Sequence, residues 1–240
     1  MRSSEDWSRL GGILIFTLAI GLTLAMLGPR LLGKAAGPET EVTTFLKGTE
    51  QDKLSLSLAG IPTPLTARQH RFALITVRPE PGAERAEALA TLDFTGTLGT
   101  TQVSSLGAER VPFILRNGDW VPEGLLMPRL AAVVKALEAR RQALEAGDPE
   151  ALARLGALAE GDGGGSVQVG GPELEALLAL KQRRYRVEAW YLRLERDEAV
   201  VSEHWRLEGV LPSRPVDQRG ERQLILIRRG EEFFFSPSLM

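Results

Sequence analysis

The sequence predicts an α+β chain: an N-terminal transmembrane helix, a β-rich antiparallel middle region, and a C-terminal domain of three helices laid on an antiparallel sheet. Three observations carry this. Leu10 to Gly28 is an apolar run without a charged residue, and as a helix rising about 1.5 Å per residue it covers roughly the ~30 Å hydrocarbon core of a bilayer. Between Arg71 and Pro122 apolar side chains recur at every second position over most of each run, the period of a strand. Beyond Glu123 they recur at helical spacing and then return to strand spacing, and helices on one face of an antiparallel sheet make a two-layer α+β fold.

The apolar run is longer than the core of a typical cleaved signal, and Arg30 and Lys34 follow it where a cleavage region is usually neutral, although Gly33-Lys34-Ala35 offers a small-x-small triplet that leaves cleavage as the alternative. A retained anchor is therefore expected. Arg2 and Arg9 balance Arg30 and Lys34, so flanking charge leaves orientation open. The economical arrangement keeps residues 1–9 as a short cytoplasmic tail and places the remainder beyond the inner membrane, in the periplasm or an equivalent extracytoplasmic space. With no cysteine, the chain has no acylation site for a lipoprotein, no disulfide and no thiolate zinc site. At 43% hydrophobic and 25% charged residues the chain as a whole has the composition of a folded protein, and a net charge of −2 leaves no electrostatic footprint for nucleic acid.

Residues 29–38 read as a linker, closed by Pro38. Over 39–60, Val42, Phe45 and Leu46 sit at helical spacing while Leu54, Leu56 and Leu58 alternate, so a short helix or extended segment followed by a strand is expected. Phe72 to Val77 is apolar on both parities and reads as a strand buried on both faces. Ala88, Ala90, Leu92, Phe94 and Leu98 share one parity, the mark of a strand with one wet face. Asn117-Gly118 supplies the two positive-φ positions of a tight hairpin. These elements make 39–122 a β-rich unit.

The C-terminal domain spans 125–240. Leu125 to Ala146 reads as an amphipathic helix stopped by Gly147, and Asp148-Pro149-Glu150 restarts one with a capping aspartate, a proline at the first helical position and an acid at the positive helix end. Ser166 to Val169 reads as a short strand and the segment from Pro172 to Leu180 as a third helix. Strands follow over 184–196, 199–209, 221–229 and 232–237.

The segments ALEARRQALEAGDPEALARL and VQVGGPELEALLAL, with the tryptophan-bearing strands after them, resemble the nuclear transport factor 2-like superfamily over about Leu125 to Met240. RVPFILRNGDWVP resembles the last hairpin of such domains, so 39–122 is either a degenerate second copy or a plain meander. The resemblance implies a cone-shaped domain with three helices on a curved sheet. Enzymes of that superfamily resembling ketosteroid isomerase or scytalone dehydratase place Asp, His and Tyr inside the cone. Envelope relatives, such as the anchored periplasmic component of type IV secretion systems, use the same shell for protein contacts, and fold alone does not choose.

Candidates for chemistry are few. Glu188 shares a parity with Trp190, Leu192 and Leu194 and could face inward as a buried acid, although the apolar parity changes between Ala189 and Leu192, where a bulge would turn it outward. His204 falls on the polar parity with Arg206 and Glu208. Tyr191 completes the set of weak catalytic candidates. His70 begins a strand beside arginines, and Asp148 is explained as a cap. Lys181, Arg183, Arg184 and Arg186 read as the solvated start of a strand. Gly161 to Gly165 lacks the lysine and hydroxyl ending of a phosphate loop, and neither a metal-binding spacing nor a serine or cysteine nucleophile motif occurs. No cofactor is expected. Phe233, Phe234, Phe235 and Trp120 are core aromatics or, if exposed, a partner surface.

The expectation is a single-pass, membrane-anchored, non-catalytic interaction or assembly module of the bacterial cell envelope, held through residues 10–28 and contacting an envelope protein or itself. The alternative is a tethered small-ligand-binding protein, or a lyase or isomerase using the C-terminal cone. An open polar cavity would favour the second; a filled interior would favour the first.

Overall fold

A computed structural model describes residues 37–82, 84–156, 179–211 and 214–236. Helix α1 (Pro38–Thr49) is followed by strands β1 (Ser55–Leu56), β2 (Leu65–Pro79), β3 (Arg85–Leu98), β4 (Thr101–Arg116) and β5 (Asp119–Pro122). Helices α2 (Pro128–Ala146) and α3 (Pro149–Arg154) come next, then β6 (Lys181–Leu194), β7 (Glu198–Leu211), β8 (Arg214–Arg229) and β9 (Glu232–Phe235).

The strands form one sheet in the order β1-β2-β3-β4-β6-β7-β8-β9, with β5 on the far end of β4. Neighbours are antiparallel except β4 and β6, which pair in parallel from Gln102 opposite Ala189 to Gly107 opposite Leu194. One edge of β4 is thus shared, its end pairing with the β5 hairpin and its beginning with β6. Gly107, at φ 149, lies so close to Leu194 that an added Cβ would sit 2.0 Å from that residue's carbonyl oxygen. Glycine is what lets the two backbones meet there.

This architecture corrects the expected fold class. The chain is mostly sheet, curled into a half-barrel, rather than three helices layered on a sheet. Six strands of 14 to 16 residues supply the reason: strands that long accumulate right-handed twist, and the sheet bends around its own concave face. The one long helix packed within that curl, α2, contributes Leu130, Val133, Val134, Leu137 and Leu144 to the core. Of three described helices only α2 and α3 follow Pro122, α1 belonging to the first half. No described helix is long and apolar enough to cross a membrane. The Leu10 to Gly28 run, the Ser166 to Val169 strand and nearly all of the Pro172 to Leu180 helix lie outside the described residues.

Local signals behave as their chemistry requires. Asn117 (φ 54) and Gly118 (φ 92) make the β4–β5 turn, Gly147 ends α2 in the left-handed region, and the Asp148 carboxylate accepts the Ala151 N–H at 2.9 Å. Leu54 to Leu58 yields only the two-residue β1. The Phe72 to Val77 stretch is not buried on both faces: a register shift between Ala73 and Thr76 turns Leu74 outward at φ 50, leaving it 84% exposed.

Candidate functional site

Three strands bring one row of side chains onto the concave face. Glu203 on β7 stands opposite Trp190 on β6 and Arg222 on β8. Tyr185 lies on the same face of β6, and α2 lowers Arg140 onto the row. Arg140 Nη1 donates to Glu203 Oε1 at 3.0 Å, the Tyr185 hydroxyl donates to the same oxygen at 2.7 Å, and Trp190 Nε1 donates to Oε2 at 3.0 Å. Arg222 Nε lies 3.2 Å from Oε1. Its guanidinium also stands 4.9 Å from the centre of the Trp205 ring, which stacks on Tyr185. Arg140 stands 5.8 Å from the centre of the Phe235 ring.

The electrostatics follow from this crowding. Burial acts to raise the Glu203 carboxyl, but Arg140, the Trp190 and Tyr185 donors and Arg222 outweigh it and hold the pKa below the ordinary carboxylate value. Burial, followed by the Glu203 charge, pushes the Tyr185 phenol well above its usual range. The carboxylate stays ionised and the phenol stays protonated. Neither is poised to exchange a proton near neutrality, and Glu203 has both oxygens engaged.

A second buried acid lies at the start of α2. Glu109 on β4 accepts the backbone N–H groups of Arg129 at 2.8 Å and Leu130 at 3.1 Å, capping a helix from a different element. The local N-cap position, Met127, has no side-chain acceptor to offer. Burial drives the Glu109 pKa up to about 7 against these helix N–H groups, which pull it down. Arg129 reaches the Ala108 carbonyl at 2.6 Å and the Glu195 and Arg196 carbonyls beyond it, pinning the β6–β7 turn to β4.

The residues singled out from sequence fall elsewhere. The register shift between Val187 and Ala189 turns Glu188 to the exposed face, the outward of the two arrangements its parity allowed, and it is not a buried acid. Tyr191 and His204 meet on that outer face at 5.2 Å between rings, with His204 Nε2 3.7 Å from Glu221. Phe233 and Phe235 point inward and Phe234 is half-buried. Trp120, 7% exposed, edges a shallow hollow beside Thr40, Thr44 and Phe45 of α1. The signal for Glu203 was in the sequence: it shares the apolar parity of Val201, Trp205 and Leu207. Arg140 gave none, because a long cation on a helix normally reads as its wet side. No group of three or more metal-binding side chains occurs among the described residues.

No family model and no curated protein matches the chain. Solved structures similar to part of it include a protein from Shewanella frigidimarina assigned provisionally as a ketosteroid isomerase, 16% identical over 43% of this chain and 90% of its own, TM-score 0.36. Another is a provisionally assigned dehydratase of the NTF2-like family from Streptomyces avermitilis, 17% identical over 47% of this chain and 97% of its own, TM-score 0.37. A third is an NTF2-like protein involved in plasmid conjugation, 8% identical over 72% and 76%, TM-score 0.29. These neighbours are NTF2-like proteins, the kind the C-terminal segments resemble.

Proposed function

We propose that this chain is a membrane-tethered, non-catalytic interaction module of a bacterial cell envelope, its folded part presented outside the inner membrane by the Leu10 to Gly28 segment. The observation that carries the reading is the occupation of the concave interior by Arg140, Glu203, Tyr185, Trp190 and Arg222. Where a catalytic cone would need an open chamber with an unsatisfied acid or base, this one holds a carboxylate whose donors all come from the protein. Apolar side chains also stand on the outer surface, where Leu74 and Leu106 are 84% and 57% exposed and Tyr191 43%.

The test is crosslinking in intact cells, with a photoreactive residue at position 74, 106 or 191 of the full chain and of a chain lacking residues 1–36. The expected result is discrete adducts with envelope proteins or a second copy, weakened when residues 1–36 are removed. Absence of adducts at all three positions, together with small metabolites that raise the melting temperature of the full chain, would overturn the reading in favour of ligand binding or catalysis.

A further inference from the structure

β6 overhangs β4. Parallel pairing between them begins at Gln102 and Ala189, so among the described residues the stretch of β6 before Ala189 has no strand on that side. That edge forms one wall of a hollow of about 680 Å³ between Arg141 and Glu145 of α2 and Thr100 of the β3–β4 turn. A second hollow, of about 320 Å³, adjoins it and reaches Ile61, Pro62 and Leu98. Thr100, Arg141, Arg186 and Val187 line both, so the two form one trough along the strand edge.

The backbone there is turned toward the trough. The Val187 carbonyl accepts the Thr101 hydroxyl at 2.9 Å, on the side away from β7. In a regular strand a residue's N–H and C=O leave on one side and alternate from residue to residue, so Tyr185, two residues before Val187 in unbroken register with β7, is placed to present its polar groups on the same side as that carbonyl. Arg184 and Arg186 alternate with Tyr185 and Val187 and put their side chains at the rim of the trough.

Charge fits an acidic occupant. Four arginines line the larger hollow against two glutamates, Glu145 and Glu188. Arg141 is held by Glu138 at 2.8 Å and Glu145 at 2.6 Å. Arg186 stands directly opposite Arg206 on β7, an unfavourable cross-strand pair. Arg206 is drawn off by Asp217 at 2.6 Å and Glu208 at 3.1 Å, with Glu188 acting on it more weakly. Arg184 has only a 4.0 Å contact with Glu208. A ligand carboxylate reaching the rim would give Arg186 a counter-charge and Arg184 a closer one than Glu208.

The geometry points to the trough beside β6 as a binding site for an extended, acidic peptide segment of a partner protein. The segment adds as a short strand to the open edge at Tyr185 and Val187 and sets its carboxylates against Arg184 and Arg186, the mode in which main-chain bonds give affinity and alternate side chains give specificity. This rests on the interaction reading above and assigns it a site.

The test uses the full chain in detergent micelles and fluorescence anisotropy with a labelled, capped hexapeptide alternating Glu and Val. Parallel probes are the same peptide with Lys for Glu, the same peptide N-methylated at alternate amides, inorganic phosphate, and vesicles of anionic lipid. Saturable binding of the acidic peptide is expected, with loss of binding for the Lys and N-methylated forms. R184A/R186A should weaken it about tenfold or more, as loss of charged interface partners does, while its melting temperature matches the parent. Equal binding of the N-methylated peptide, binding unchanged in R184A/R186A, or arginine-dependent binding of phosphate or vesicles without peptide binding would each overturn the proposal. If in-cell adducts persist while no acidic peptide binds, the interaction reading stands and this site falls.

Discussion

At the scale of single residues, two buried glutamates make opposite uses of burial. Glu203 is ionised because cations and donors surround it, and its removal takes the carboxylate out of a buried ion pair with Arg140. E203Q should therefore cost about 3–5 kcal/mol, the usual penalty for breaking a buried pair from one side, read as a shift in urea midpoint with unchanged slope. An unchanged midpoint would mean that solvent reaches Arg140. Glu109 has helix N–H donors in place of a close salt bridge, and burial carries its pKa to about 7. The folded state thus holds this proton more tightly than the unfolded chain, where the carboxyl titrates near 4.5. Its stabilising contribution is complete below that value and is lost as pH rises from there through 7, by on the order of 3 kcal/mol. E109Q, which keeps an acceptor for the helix N–H groups and cannot ionise, should lack this decline in melts at pH 5, 6.5 and 8. A variant whose stability falls in parallel with the parent would show that Glu109 titrates normally.

At the scale of elements, helix α1 is seated by Val42 and Leu46 in the core, by Phe45 edge-on to Phe113 at 5.7 Å, and by Glu50, which accepts the Phe72 N–H at 2.7 Å. His70, 2% exposed, lies near the end of this helix. Burial holds its pKa below the ordinary 6.5, against the pull of Glu50, the Thr49 backbone and Asp52. The unfolded chain then takes up this proton first as pH drops, and stability is lost below about 6.5. Because this slope opposes that of Glu109 between 4.5 and 6.5, it is read as the difference between H70F and the parent: the variant should gain on the parent from pH 7 to 5, and a constant difference would exclude a titrating His70. Much at this scale was legible from sequence. Asn117-Gly118, Gly147 and Asp148 act through a few neighbours, and the β3 alternation reports one face directly. The side taken by Glu188 stayed open because one register shift reverses every parity beyond it: the change of apolar parity between Ala189 and Leu192 signalled a bulge without placing it at Val187 to Ala189. Burial of Arg140 was invisible for another reason: its partner Glu203 lies on a different element.

At the scale of the whole molecule, what sequence could not reveal was the joining of its halves. Apolar alternation marks strands without saying which strands pair, so a boundary near Glu123 looked natural and the parallel β4–β6 contact left no trace except a glycine in a strand, Gly107. That contact decides whether the sheet behaves as one cooperative unit. Through it β2 to β4 and β6 to β9 share hydrogen bonds, and α2 packs against both β4 and β6. Chemical unfolding should therefore show one transition, coincident by tryptophan fluorescence and far-ultraviolet circular dichroism; Trp120 reports the first half and Trp190 and Trp205 the second. G107A tests the cause. Its Cβ would overlap the Leu194 carbonyl at 2.0 Å, and backbone cannot yield as a flexible side chain can. A cost above about 3 kcal/mol is expected, at the upper end of overpacking penalties. Because the damage lies at the junction, the transitions of the two halves should separate, with amide exchange accelerated first along Gln102 to Gly107 and Ala189 to Leu194. G96A is the control: its Cβ would meet the Thr66 carbonyl at 2.3 Å within the first half, so it should destabilise the chain and leave β6 to β9 protected. If G107A instead unfolds in one transition at nearly the parental midpoint, the halves are coupled through the α2 core and not through the strand junction.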